Sequence, residues 1–213
     1  MPEQAMIVVR GEAVREVPPE IAQFSVTVSA RDKARETALS RLAERSAELR
    51  TLLDDHGDVI ERRETSGVQV HPEFKKGERV AAYVGSVSTT VTVSDFAALG
   101  ELLLRLADTE LTSISGPWWQ LRPGSRAGAG VRQEAVAEAL RRAHEYAAAV
   151  GARVDRLVEI SDEGAGGGGP MMRTMAFAKD TGSEELDLDP QQQTVHAAVT
   201  VRVTITEPTL PSQ

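Results

Sequence analysis

Gly130–Ile160 reads GVRQEAVAEALRRAHEYAAAVGARVDRLVEI, which describes a helix, a stop and a strand returning along the helix. Val136, Leu140, Ala143, Ala147 and Val150 recur at spacings of four and three, one apolar stripe on an α-helix. Arg132, Glu138, Arg141, Arg142 and Glu145 lie mostly off that stripe. Glu138 precedes Arg142 by one helical repeat, the favourable order for an ion pair. Gly151 stands where a left-handed residue ends a helix without a Cβ penalty. A stripe made largely of Ala and Val needs a close neighbour, and a β-sheet face supplies one.

Outward from this stretch, the chain alternates between strand and helix periods. Met6–Val9 is a short apolar run closed by Gly11. Phe24, Val26, Val28 and Ala30 alternate with polar residues, predicting a strand buried on one face. A helix is predicted from Asp32 to His56, with Leu39, Leu42, Ser46, Leu49 and Leu53 inward and Gly57 as its stop. Val68, Val70, Pro72 and Phe74 alternate again. Pro72 cannot donate a ladder hydrogen bond, so this strand belongs at an edge or a bulge. Lys75–Glu78 reads as a hairpin tip. The returning strand, Arg79–Val93, changes apolar phase at Gly85-Ser86, which predicts a bulge there.

Ser94 is the expected N-cap of a helix through Asp108, with Phe96, Leu99, Leu103 and Leu106 inward. A strand over Leu111–Leu121 and a turn over Arg122–Gly130 lead into the long helix, and Arg153–Ile160 is the strand after it. Residues 163–192, with EGAGGGG and the acidic SEELDLD, hold too little apolar surface for a packed element and are expected to be a flexible loop. Val195 to Ile205 alternates over the last strand. The order strand, helix, strand, strand thus occurs twice, over 20–93 and 111–206. An α+β fold is expected, a single domain over 1–213 with one antiparallel-rich sheet and long helices on one side.

Composition limits the functions available. The 213 residues are 41% hydrophobic and 26% charged, with a net charge of −8. That acidity disfavours nucleic acid, whose binding needs clustered Lys and Arg, and anionic membrane surfaces. With no cysteine, the chain has no disulfide, thiol nucleophile or thiolate metal site. No apolar run reaches the ~20 residues of a spanning helix. MPEQAMIVVRGEAV lacks a basic start and a long apolar segment, so no secretory signal is read and a cytoplasmic location is expected if Met1 is the native start. A longer native start would make an envelope location the expectation.

Motifs for catalysis and cofactors are weak. Gly124, Gly128 and Gly130 lie between a strand and a helix N-terminus, where phosphate can bind, but Gln133 stands where a dinucleotide fingerprint needs glycine. His71 and Glu73 share one strand face and His196 sits on the polar face of the last strand, which solvated faces explain more simply than a metal. His56 suits a helix C-terminus, and His144 has no evident partner. Asp54-Asp55 and Glu184-Glu185 show no pocket to separate their pKa values, and no Gly-x-Ser-x-Gly elbow occurs. No enzyme activity, cofactor or metal is expected. Adjacent Trp118 and Trp119 must point to opposite sheet faces, leaving one as a candidate interface anchor. Met171, Met172 and Met175 suit docking into a neighbouring subunit.

IVVRGEAVREVPPEIAQFSVTVSA, AYVGSVSTTVTVSDFAALGELL and EAVAEALRRAHEYAAAVGARVDRLVEI together resemble the SIMPL-domain family, as do PMMRTMAFA and the closing VHAAVTVRVTI. The likeness covers nearly the whole chain and rests on pattern and order. It implies an α+β fold, self-association into rings or larger oligomers and no established catalytic residues. The family takes its name from a eukaryotic adaptor of a Pelle-like kinase, and its bacterial members are often exported to the envelope. The chain departs from the family at DVIERRET, at its N-terminus and at the bulky Trp118-Trp119. The functional expectation is a self-assembling scaffold or interaction module. The rival is a small-molecule or ion-binding protein with a stress role and a site between subunits.

Overall fold

The computed structural model describes residues 4–75, 79–110, 112–163 and 186–209. Their order is β1 (Met6–Val17), β2 (Ile21–Asp32), α1 (Arg35–Asp55), β3 (Ile60–Lys75), β4 (Arg79–Val93), α2 (Phe96–Ala107), β5 (Thr112–Gln120), α3 (Ala127–Ala149), β6 (Val154–Asp162) and β7 (Gln193–Ile205). All strand pairs are antiparallel, and the fold is α+β. The expected single sheet is two: β1-β7-β6 and β3-β4-β2-β5. They belong to two compact units, one of β1, α3, β6 and β7, the other of β2 to β5 with α1 and α2.

The expected strand-helix-strand-strand unit over 20–93 is β2-α1-β3-β4. The expected second unit, over 111–206, requires correction. Its opening strand, β5, pairs with β2 in the four-stranded sheet. The place it was expected to fill is taken by β1, which pairs with β7 from Met6↔Thr204 to Val17↔Gln193. β1 thus pairs with β7, which also pairs with β6, as β2 pairs with β4, which also pairs with β3. β1 extends well past Val9 because Arg10, Glu12 and Val14 lie on the sheet face away from the core, so charge there does not interrupt the strand.

In the α3 unit, the core is Val131, Ala135, Ala139, Ala143 and Ala147 against Val9, Ala197, Val199, Val201, Val203 and Ile205. The buried row of α3 differs from the expected stripe: Val136, Leu140 and Val150 flank it, partly buried. Gly11 explains the shift. A Cβ there would stand 2.1 Å from the Ala135 carbonyl oxygen and 2.7 Å from the Ala139 Cβ, so the helix backbone rests directly on the strand. Only an alanine row can lie at that distance, and the larger side chains splay to either side. Gly151 takes φ +69° and ends the helix as expected.

In the other unit, Phe24, Val26, Val28, Val91 and Val93 meet Leu42, Leu49 and Leu53 of α1 and Leu99, Leu102, Leu103 and Leu106 of α2 in one core. Ala38 replaces the half-exposed Leu39 in the buried row of α1. The α2 cap is Asp95, one residue past the expected Ser94, and its carboxylate accepts from Ala97 N–H at 3.0 Å and Ala98 N–H at 3.2 Å. No bulge forms at Gly85-Ser86, because the β2–β4 register runs through Ser29↔Ser86 and Ala30↔Gly85 unbroken. Gly85 lies on the core face, where a Cβ would come within 2.9 Å of Leu42 Cδ2. The apolar phase breaks because Leu42 occupies that side-chain volume. β3 is an edge strand, as Pro72 requires, and begins at Ile60. Residues 164–185, most of the expected flexible loop, lie outside the described residues.

Candidate interaction surface

The expected site residues scatter. His71 and Glu73 lie on β3, where Glu73 accepts from Arg31 Nε at 2.7 Å, and His196 lies on β7 in the other sheet. Among the described residues, no group of three or more His, Asp or Glu is placed to hold a metal ion. His56 Nδ1 lies 2.9 Å from the Leu52 carbonyl and His144 Nδ1 lies 2.7 Å from the Leu140 carbonyl, both within their own helices. Gly128 and Gly130 fall inside α3, not in the turn before it. Asp54 pairs with Arg63 at 2.8 Å. Glu184, Glu185, Met171, Met172 and Met175 are outside the described residues.

The two tryptophans do part. Trp119 is opposite Ala22 on the core face, packs edge-on against Phe96 with ring centroids 4.9 Å apart, and joins the core. Trp118, opposite Gln23, is 40% exposed on the other face.

Several surface ion pairs perturb the titration of their members. Hydrogen bonding to Arg122 holds the Glu61 carboxyl below its ordinary value, and Arg31 does the same for Glu73. Arg31, Arg62, Arg122 and Arg141 are raised, first by hydrogen bonds to Glu73, Glu64, Glu61 and Glu138 respectively. Such exposed pairs tie neighbouring surface side chains together.

Exposed apolar side chains occur on both sheets, Val68 and Phe74 of β3 among them, and on the three-stranded sheet they border a groove. This open groove of about 770 Å³ is lined by Met6, Ile7 and Val8 of β1, Tyr146 of α3, Val150 just beyond it and Ile205 of β7. Met6, Val8 and Val14 are 52%, 56% and 57% exposed. The sequence hid this groove because β1 reads there as an ordinary apolar run. Its lining comes from three segments far apart in the chain.

The sheet edges also differ. Among the described residues, the outermost strands are β1, β6, β3 and β5. β3 carries Pro72 and three register shifts, β5 carries Pro117 and one, and β6 carries two. Such features blunt an edge against unwanted pairing. β1 has neither proline nor shift over 12 residues. Residues 7–203 match the SIMPL family, described as protein of unknown function (DUF541). The chain belongs to the SIMPL family. No curated protein matches it. In this SIMPL chain no described helix is long and apolar enough to cross a membrane.

Proposed function

We propose that this SIMPL chain is a non-enzymatic interaction module that self-associates through its three-stranded sheet, as a scaffold and not a catalyst. The observation carrying this reading is the regular β1 edge, without proline or register shift, beside an apolar groove, with Met6, Val8 and Val14 each more than half exposed. Apolar strand surface of this kind loses water on pairing, and main-chain groups at the edge gain partners. The cytoplasmic setting expected from the sequence belongs to the proposal, and cell fractionation tests it.

Light scattering on a size-exclusion column, at two salt concentrations, tests self-association. A mass above one chain at micromolar concentration is expected, and a monomer at all concentrations overturns the reading. A second reading, capture of a small apolar molecule, is favoured by the same groove, which has Glu207 as its one acidic lining residue. A monomer whose melting temperature rises with apolar ligands would support it.

A further inference from the structure

The β1 sequence is its own complement. The Ile205 N–H donates to the Ala5 carbonyl at 3.0 Å, so odd-numbered positions in this strand direct their main-chain groups at β7. Even-numbered positions, Met6, Val8, Arg10, Glu12, Val14 and Glu16, direct theirs outward from the edge. Their side chains lie on the sheet face that α3 does not cover.

We propose that β1 pairs antiparallel with β1 of a second copy about a two-fold axis through Gly11. This deepens the self-association reading above and rests on it. The register sets Arg10 opposite the second copy's Glu12, twice by symmetry, and Val8 opposite its Val14, also twice. Moving the axis to Arg10 would put two arginines face to face and Val8 against Glu12. Moving it to Glu12 would oppose two glutamates and set Arg10 against Val14. Among these three registers, only the one centred on Gly11 matches both the charged pair Arg10–Glu12 and the apolar pair Val8–Val14, and it leaves Met6 opposite Glu16 at the ends of the seam.

In one chain, Arg10 Nε already lies 2.8 Å from Glu12 Oε1 and 3.3 Å from Glu163 Oε2. Across the axis, Arg10 and Glu12 of both copies form a ring of alternating sign. The Arg142 guanidinium donates to the Arg10 carbonyl at 2.7 Å. That oxygen retains a second lone pair for a strand hydrogen bond. A Gly11 position on the axis keeps the seam free of side chains under the α3 alanines.

The full chain tests this by charge exchange, read by light scattering and sedimentation, with circular dichroism as a check of folding. Arg10→Glu alone and Glu12→Arg alone each replace two attractions with two repulsions, and each is expected to weaken association roughly tenfold or more. Mixing the two single variants restores opposite charges at every pair, so a heterodimer is expected where neither variant associates alone. The double variant Arg10→Glu with Glu12→Arg is expected to regain self-association. If the unaltered chain associates but both single variants associate equally well, the Gly11 register is overturned and self-association stands. If the unaltered chain is monomeric, both are overturned.

Discussion

Gly11 is the position with least room in the α3 unit. A strand interior ordinarily gains from replacing glycine, by about 0.5–1 kcal/mol for alanine. Here the added Cβ would press on the Ala135 carbonyl, Ala139 N and the Ala139 Cβ. Gly11→Ala is therefore expected to destabilise by about 1–3 kcal/mol through overpacking, measured by denaturant unfolding. A stabilised variant would mean the helix can lift from the strand without loss. The tryptophans separate in the same way. Trp119→Ala, which loses the Phe96 contact and core packing, is expected to cost about 2 kcal/mol, less than the roughly 3–5 of a fully buried ring. Trp118→Ala is expected to change stability by less than about 0.5 kcal/mol, as an exposed surface substitution. Adjacency in the sequence required opposite faces. Which tryptophan faces inward depended on β5 pairing with β2, which periodicity could not show.

Helices and strands here are held in register by caps and cross-element ion pairs. Asp95 satisfies two first-turn N–H groups of α2, and Asp95→Ala is expected to cost about 1 kcal/mol in a denaturant titration. Glu61 ties β3 to Arg122 beyond β5, and Glu73 ties β3 to Arg31 of β2. Both carboxyls titrate below their ordinary value of 4.5 in the folded chain. The folded state thus holds their protons more weakly than the unfolded state does. Their contribution is complete above the ordinary glutamate range and is lost as pH falls through the lowered folded values. Thermal melts from neutral pH to about pH 3 are expected to show that acid loss. Replacing both glutamates by glutamine should flatten this part of the acid limb, and an unchanged limb would assign the loss to other carboxylates. The Ser94 and Gly85-Ser86 expectations went astray at this level for physical reasons. Ser and Asp compete as neighbouring caps, and the Leu42 side chain occupies the space on the Gly85 face that a local reading takes as a break in the strand.

Each compact unit has its own hydrophobic core, and Pro19–Arg122 is a continuous stretch that contains every helix and strand of one of them. That fragment is expected to fold alone with a cooperative melt, detected by far- and near-ultraviolet circular dichroism. Loss of near-ultraviolet signal in the fragment would show that its core needs the rest of the chain, including Leu188, which packs against it.

Much of this protein was legible in one dimension. The helical spacing of Ala and Val, the period-two strands, Pro72 at an edge, Gly151 as a stop and the strand-helix-strand-strand order of 20–93 are all local consequences of side-chain direction and backbone sterics. The same patterns carried the SIMPL resemblance. Two matters were decided only in three dimensions. β1 and β5 are both suitable partners by pattern, and the long-range registers with β7 and β2 assigned each to its sheet. The apolar groove joins Met6, Tyr146 and Ile205, residues brought together only when α3 settles onto Gly11. Periodicity determines which face of an element is buried. The element that buries it is determined by the balance of loop closure and packing over the whole chain.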